Sequence, residues 1–211
     1  NILFEKIINL LFLNIKNKLS DLYRKVVIRA CDSFCPLKGE LGESTAIHKK
    51  NFFDDITLEF MESLPKKDLL EFIKNHDYLK TVFKDYIGTY NVDYAKRWTT
   101  SGENNSSLWH HDSVGHRIKI FIGLSQVVAD TGTCFIPNSH KNKYSSYLET
   151  RVDPDSDNQI VINLDRGDLM IFDTNSLHRG MYGANKRTAF TIEVSNPVKG
   201  YILPGDIGKR A

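Results

Sequence analysis

The hydrophobic period of this chain changes near residue 90, and no other feature constrains its fold more. Before that point apolar residues recur at helical spacing, and Pro65 and Asp77 mark the starts of two predicted helices, 66–75 and 77–86. After it come short runs rich in Val, Ile, Phe and Thr, separated by Gly, Asn and Asp, which is typical of strands. This order predicts an α+β fold in which N-terminal α-helices buttress one face of a sandwich or jelly-roll barrel.

The length of 211 residues suits one domain with a substantial core. We therefore predict a single domain with a mainly helical buttress (1–87), a jelly-roll core (88–198) and a C-terminal tail (199–211). The predicted strands are 91–99, 116–127, 132–136, 160–163, 169–173 and 187–195.

The predicted strand 116–127 has two faces of different character. One face is all aliphatic and the other mixes cations, an aromatic ring and small residues. The first comprises Ile118, Ile120, Ile122 and Leu124, and the second comprises Arg117, Lys119, Phe121, Gly123 and Ser125. An aliphatic outer face needs a cover, which the helices can supply. The mixed face predicts a cavity wall, and a buried lysine at its middle needs an anionic partner.

Composition excludes several classes of protein. Hydrophobic residues at 41% and charged residues at 26% are typical of a globular chain and not of a disordered one. The net charge of +2 provides no basic field, so we expect no nucleic-acid partner. Three cysteines, an odd number, do not make a secreted disulfide framework and favour a reducing, cytoplasmic location.

The segment 2–19 is predicted to be an amphipathic helix with a wide apolar arc. Charged residues interrupt it too often for a membrane span. Residues 1–30 hold six bases and two acids, a local charge of +4, so contact with a membrane surface is the alternative to core packing or dimer formation. The oligomeric state does not follow from the sequence.

A histidine and a carboxylate stand two residues apart in the segment Trp109-His110-His111-Asp112. In extended chain, residues two apart project from the same face, so His110 and Asp112 can bind one metal together. His178 follows the predicted strand 169–173 and can supply a third ligand. Two histidines and one carboxylate form the facial triad of non-haem Fe(II) oxygenases.

Arg187 begins the last predicted strand, nine residues after His178. It shares a polar face with Ala189, Thr191 and Glu193, and this face is predicted to line the cavity. A guanidinium is well suited to bind a carboxylate through two hydrogen bonds. A metal triad with a cation one strand away suits 2-oxoglutarate, whose keto-acid end chelates iron while its far carboxylate meets the arginine.

The motifs in this order resemble the phytanoyl-CoA dioxygenase-like family over about residues 88–195. The matching segments are Trp109-His110-His111-Asp112, the strand 118–124, Thr131-Gly132-Thr133, the turn Ile136-Pro137-Asn138-Ser139-His140-Lys141, Gly167-Asp168-Leu169, His178 and Arg187. The resemblance implies a double-stranded β-helix (a cupin-like jelly roll) as the core that the N-terminal α-helices buttress. It implies Fe(II) held by His110, Asp112 and His178, with 2-oxoglutarate and O₂ as co-substrates. It implies hydroxylation or a related oxidation of a small molecule, with release of succinate and CO₂. The family usually has Gly where this chain has Asn138, and often Ser where it has Ala189.

The resemblance also implies contacts to the co-substrate. Arg187 is the implied partner of its far carboxylate and Lys119 a second contact, with Thr133 and Thr191 as further candidates. The candidate contacts to the prime substrate are Trp109, Arg97, Arg117 and Arg179. Three arginines near the predicted mouth favour a small anionic metabolite.

Two other classes of protein remain open. A non-catalytic jelly-roll module that binds a carbohydrate or a partner would make the histidines incidental. A cupin-type metal hydrolase or isomerase would use the same triad with zinc, and Arg187 and Lys119 would then have no explained role.

Overall fold

The computed structural model describes residues 41, 44–102, 107–110, 112, 117–126, 131–141, 158–181 and 186–197. Its helices are α1 (Asp55–Ser63), α2 (Lys66–Asn75) and α3 (Asp77–Tyr86). Its strands are β1 (Ala46–Lys49), β2 (Asn91–Thr100), β3 (Arg117–Gly123), β4 (Thr133–Phe135), β5 (Ile160–Ile162), β6 (Leu169–Asp173), β7 (His178–Gly180) and β8 (Arg187–Ser195). The predicted helix 2–19 and the tail 199–211 lie outside the described residues. No helix among the described residues is long and apolar enough to span a membrane.

The strands form two antiparallel sheets. The larger has the order β1-β6-β3-β8-β2 and the smaller the order β5-β4-β7. Neighbouring strands are mostly distant in sequence, so each sheet brings together residues from separate parts of the chain. The predicted combination of helices with antiparallel sheets is confirmed.

The helices cover one face of the larger sheet. The three isoleucines of β3 predicted to share an aliphatic face are fully buried there, in one cluster with residues of all three helices. The helical members are Leu58, Met61, Leu69, Ile73, Leu79, Val82, Phe83 and Tyr86. β8 contributes Phe190, Ile192 and Val194 to the same cluster, so its polar alternates face the other way.

The other face of the larger sheet packs against the smaller sheet. Met170 and Phe172 of β6 form a second buried cluster with Phe135 of β4 and Ile162 of β5, and Phe121 packs at its edge. The inner faces of the two sheets therefore meet, and the polar residues of β3 and β8 point into the space between them.

Three elements were not predicted. β1 has one fully buried apolar residue, Ile47, and pairs with β6. α1 begins after Asp54, whose side chain accepts a hydrogen bond from the backbone N–H of Thr57 at 2.7 Å, as an N-cap does. β7 has three residues and joins the smaller sheet beside β4.

The turn after β4 contains the segment 136–141, which the sequence predicted to be a turn. Asn138 has φ of +59°. Asparagine is one of the few side chains that adopts this left-handed conformation readily. Its backbone N–H donates to Oγ1 of Thr45 at 2.6 Å, which ties the turn to the segment before β1.

Candidate metal centre

Backbone pairing brings the two predicted histidine ligands together. His110 forms an isolated antiparallel bridge with His178, the first residue of β7. Each backbone N–H donates to the other's carbonyl, at 2.9 and 3.0 Å. Both side chains are buried, with ring centroids 4.4 Å apart. The segment that holds His110 thus continues the smaller sheet beyond β7.

Hydrogen bonds fix the orientation of both imidazoles. Nδ1 of His110 lies 2.6 Å from the carbonyl oxygen of Leu108, and Nδ1 of His178 lies 2.8 Å from that of Ser176. A carbonyl accepts only, so Nδ1 carries a proton in each ring, and in the neutral form of such a ring Nε2 has a free lone pair. A hydrogen bond from the other ring nitrogen to a backbone carbonyl is usual for metal-binding histidines.

Asp112 completes the group. Its backbone N–H donates to the carbonyl of Thr174 at 3.0 Å. Its carboxylate oxygens lie 3.7 Å from Nε2 of His110 and 3.3 Å from Nε2 of His178. One ligand atom from each of the three residues lies within 4.8 Å of the others. This donor set and spacing fit one first-row divalent ion with open coordination positions.

The charge states also fit a metal. Burial, with the neighbouring His178, lowers the pKa of His110 to about 3, so its ring is neutral at ordinary pH. Burial alone would raise the pKa of Asp112, but the ammonium of Lys119 and the two histidines hold that pKa well below its usual value. A neutral imidazole and an ionised carboxylate are the forms that bind metals.

Lys119 contacts the carboxylate of Asp112. Its Nζ lies 2.5 Å from Oδ2 of Asp112 and 3.5 Å from Oε1 of Glu193, its register partner on β8. Burial would lower the pKa of Lys119, but these two carboxylates raise it, so the side chain is charged. The predicted anionic partner of Lys119 is therefore Asp112, with Glu193 as the second.

Glu193 and Tyr94 are functional neighbours that the sequence did not single out. Glu193 accepts hydrogen bonds from Nη1 of Arg117 at 2.7 Å and from the hydroxyl of Tyr94 at 2.5 Å. Burial and the bond to Glu193 raise the pKa of Tyr94, so it stays a neutral donor. The sequence signal that could have indicated Glu193 was a carboxylate on the cavity face of a strand whose other face is apolar.

Arg187 lies in the space between the sheets without an acidic partner among the described residues. Its Nη1 donates to the carbonyl of Thr131 at 2.9 Å and to Oγ1 of Thr133 at 3.1 Å, and its guanidinium lies 5.8 Å from the ring centre of Phe121. Burial lowers its pKa, with no carboxylate to oppose the effect. Thr133 is two residues before Phe135, the register partner of His178, so the guanidinium lies one side-chain step along the sheet from the triad.

Thr191 projects from β8 into the same space. It is buried, and its register partners are Lys96 on β2 and Phe121 on β3. On the cavity face of β8 it follows Arg187 and Ala189 and precedes Glu193, where it can meet a ligand held by the arginine.

Two of the four predicted substrate contacts, Arg97 and Arg179, lie outside this space, and Trp109 stacks with Arg179. Arg117 points into the space but is held there by acidic partners. Arg179 faces away from the space, because its neighbour His178 faces inward, and its guanidinium stacks 4.9 Å over the ring of Trp109. Arg97 lies on the helix-covered face of β2 and pairs with Glu62 of α1 at 3.4 Å. Arg117 is already paired, with Glu193 at 2.7 Å and Asp93 at 3.3 Å.

The turn between β6 and β7 forms hydrogen bonds to two of the three triad residues. Asp173 accepts hydrogen bonds from the hydroxyl of Tyr86 at 2.5 Å and from the backbone and side-chain nitrogens of Asn175 at 2.6 Å each. This turn provides the carbonyl of Thr174 that binds Asp112 and the carbonyl of Ser176 that binds His178. One turn thus orients two of the three ligands.

Comparison with protein-family models and with curated protein sequences finds no match for this chain. Several solved structures do match. EctD from S. alaskensis with bound Fe has a TM-score of 0.60 and 13% identity, over 81% of this chain and 79% of that one. The epimerase SnoN in complex with Fe3+, α-ketoglutarate and nogalamycin RO has a TM-score of 0.58 and 11% identity, over 86% and 88%. HygX from Streptomyces hygroscopicus with nickel and 2-oxoglutarate has a TM-score of 0.56 and 10% identity, over 74% and 84%.

At these identities the likeness shows a shared fold. The cofactors predicted from the sequence, iron and 2-oxoglutarate, are those bound in these structural neighbours. The resemblance to the phytanoyl-CoA dioxygenase-like family finds no support from a family match and stays a prediction.

Proposed function

We propose that this protein is a non-haem Fe(II)- and 2-oxoglutarate-dependent dioxygenase that hydroxylates a small molecule. The observation that supports this most is the convergence of Nε2 of His110, Nε2 of His178 and the carboxylate of Asp112, with both Nδ1 atoms bound to backbone carbonyls. The proposal includes the double-stranded β-helix as the name of the two-sheet arrangement and membership of the phytanoyl-CoA dioxygenase-like family.

The ligand set favours iron over zinc. Catalytic zinc sites are mostly tetrahedral, with three protein ligands and one open position. Two histidines and one carboxylate on one side of an octahedral ion leave three positions open, which is the arrangement of non-haem Fe(II) oxygenases. The zinc alternative also leaves Arg187 unexplained, since a hydrolase of this kind needs no buried cation beside the triad.

The charges around the triad match a dicarboxylate co-substrate. The buried carboxylates of Asp112 and Glu193 are matched by the cations of Lys119 and Arg117. The largely buried guanidinium of Arg187 has no such partner among the described residues, and a divalent metal would add two more positive charges. The dianion 2-oxoglutarate offsets two of these three positive charges. Buried charges need such compensation.

In this proposal each residue has a defined role. His110, Asp112 and His178 hold the metal, which with 2-oxoglutarate supplies the oxidation of an unactivated C–H bond. Arg187 and Thr133 bind the far carboxylate of the co-substrate, and Thr191 lines its path. The rings of Phe121, Phe135 and Phe172 exclude water beside the triad.

The substrate class is proposed from the structural neighbours. HygX has been solved with hygromycin B bound and SnoN with nogalamycin RO, so a small molecule is the proposed substrate here. We do not retain the preference for an anionic substrate, because the arginines that suggested it are paired or face elsewhere. Epimerisation is the second candidate reaction, since SnoN is an α-ketoglutarate-dependent epimerase.

Turnover of the co-substrate tests the proposal without knowledge of the substrate. Purified protein is incubated with Fe(II), 2-oxoglutarate and O₂, and succinate is measured. We expect succinate from the wild type, none under argon, and none from His178→Ala. Iron-loaded wild-type protein that forms no succinate would count against the proposal. Zn(II), which cannot change its oxidation state, should support no succinate formation. Once a substrate is found, ¹⁸O₂ separates hydroxylation, which adds label to the product, from epimerisation, which does not.

A further inference from the structure

The position of Lys119 is electrostatically costly for a metal site. Its ammonium lies 2.5 Å from Oδ2 of Asp112, a proposed metal ligand, and is largely buried. A buried positive charge at this distance opposes the binding of a cation. The lysine therefore lowers the metal affinity of the carboxylate that it contacts. A lysine at this position is expected to provide the site with another benefit.

Glu193 holds Lys119 in this position. One carboxylate oxygen of Glu193 faces both the hydroxyl of Tyr94 and Nζ of Lys119, and the other accepts from Nη1 of Arg117. Both oxygens of Glu193 are engaged, so its carboxylate has little freedom to turn. The ammonium of Lys119 is thus fixed between two carboxylates on adjacent elements.

The contact also restricts how Asp112 can bind. A carboxylate can bind a metal through one oxygen or both. The ammonium lies on Oδ2, which is also 3.3 Å from Nε2 of His178. The oxygen left free of the ammonium is Oδ1, which lies 3.7 Å from Nε2 of His110. A carboxylate that coordinates through one oxygen keeps three positions of an octahedral ion open, whereas two oxygens would occupy one of them.

We propose that Lys119 keeps Asp112 a one-oxygen ligand and favours the dianionic co-substrate, while it weakens binding of the metal itself. This role rests on the proposed function and gives Lys119 a positioning role toward Asp112. It predicts opposite effects of removing the lysine on the two ligands: tighter metal and weaker 2-oxoglutarate. A residue that only supports the fold would weaken both.

The test measures the two affinities separately in Lys119→Met. Anaerobic titration with Co(II), followed by its visible absorption, gives the metal affinity. Titration of the Co(II)-loaded protein with 2-oxoglutarate gives the co-substrate affinity. We expect the Kd for Co(II) to fall and the Kd for 2-oxoglutarate to rise, each by about 10-fold or more. Mutation of a residue that contacts a metal ligand typically changes metal affinity by at least about this factor. The Co(II) spectrum should also change, because Asp112 can then bind through both oxygens.

Two variants and a control complete the test. Lys119→Gln also removes the charge but keeps an N–H donor for Asp112, so its metal affinity should rise while its 2-oxoglutarate affinity falls less; it also serves if Lys119→Met does not fold. Lys67→Met removes a lysine from an exposed position of α2 and should change neither affinity. Weaker binding of both ligands in the Lys119 variants, or no change in either, would overturn the proposal. Wild-type protein that binds no Co(II) would overturn the metal site together with it.

Discussion

His110 and His178 exchange both of their backbone hydrogen bonds, N–H to carbonyl in each direction, at 2.9 and 3.0 Å. The two imidazoles therefore leave adjacent strands from directly paired positions. Pairing of this kind fixes the distance between two side chains more firmly than loop geometry does. The bridge explains how ligands that are distant in the sequence form one site.

Removal of one histidine should abolish stabilisation by metal. A ligand that binds only the folded protein stabilises it by about 2.7 kcal/mol at a concentration 100 times its Kd. We expect Co(II) to raise the Tm of the wild type and to leave that of His178→Ala unchanged. The matched control is His48→Ala. His48 bonds to Asp168 at 3.1 Å, so this change should lower the Tm but retain the increase with Co(II). An equal increase in His178→Ala would show that the metal binds elsewhere.

Arg187→Leu should weaken 2-oxoglutarate binding without loss of metal binding. The variant leaves the carboxylate of the co-substrate buried without its cation, which costs about 2 kcal/mol or more, or about 30-fold in Kd. The measurement is titration of the Co(II)-loaded protein with 2-oxoglutarate. Arg97→Leu is the matched control, since Arg97 pairs with Glu62 on the helix-covered face and should not affect the titration. Equal Kd values for wild type and Arg187→Leu would remove the assigned role of Arg187.

Asp173 should make the stability of the protein depend on pH. Burial raises the pKa of Asp173 from its ordinary value of 3.8 to about 6, despite hydrogen bonds from Tyr86 and Asn175. The folded protein then holds this proton more tightly than the unfolded chain does. As the pH rises from about 4 to about 6, the free energy of unfolding of the wild type should fall by about 2–3 kcal/mol relative to Asp173→Asn.

Urea unfolding of both proteins at several pH values between 4 and 7 measures this difference. The depressed pKa of His110 acts in the opposite direction, but it is present in both proteins and cancels in the comparison. A constant difference between wild type and Asp173→Asn across this range would contradict the prediction.

Gly123→Ala should destabilise the fold. A Cβ atom at this position would lie 2.0 Å from the carbonyl oxygen of Asp165, a backbone atom that cannot move alone. Overpacking of this kind costs about 1–3 kcal/mol, occasionally more. Urea unfolding should show a lower midpoint with an unchanged m-value, and an unchanged midpoint would show that the backbone near Asp165 adapts without strain.

Helices and strands whose own residues carry a signal, such as a capping residue or an apolar pattern, were predicted from the sequence. Pro65 and Asp77 indicate the starts of α2 and α3, and Gly88, with φ of +81°, follows the end of α3. A short apolar run predicted β6, and alternation of apolar residues predicted β8, each with its observed bounds. The segment His178–Gly180 has no such alternation, because its strand geometry comes from pairing with β4 and His110.

The ligand triad and Arg187 could be proposed from residue types and spacing, but their partners could not. The contact of Lys119 with Glu193 depends on the register of β3 against β8, and that of Tyr94 on the register of β2. The face on which Arg97 lies was equally unpredictable, since β2 has only one fully buried residue, Ala95, to mark its two sides.

The central claim is that the triad and Arg187 bind Fe(II) and 2-oxoglutarate as one unit, and the absorption of the anaerobic complex tests it most directly. Protein mixed with Fe(II) and 2-oxoglutarate under argon should develop a weak metal-to-ligand charge-transfer band in the visible range. The band should be absent in His178→Ala and should require more 2-oxoglutarate in Arg187→Leu. Wild-type protein with bound iron and no such band would contradict the claim.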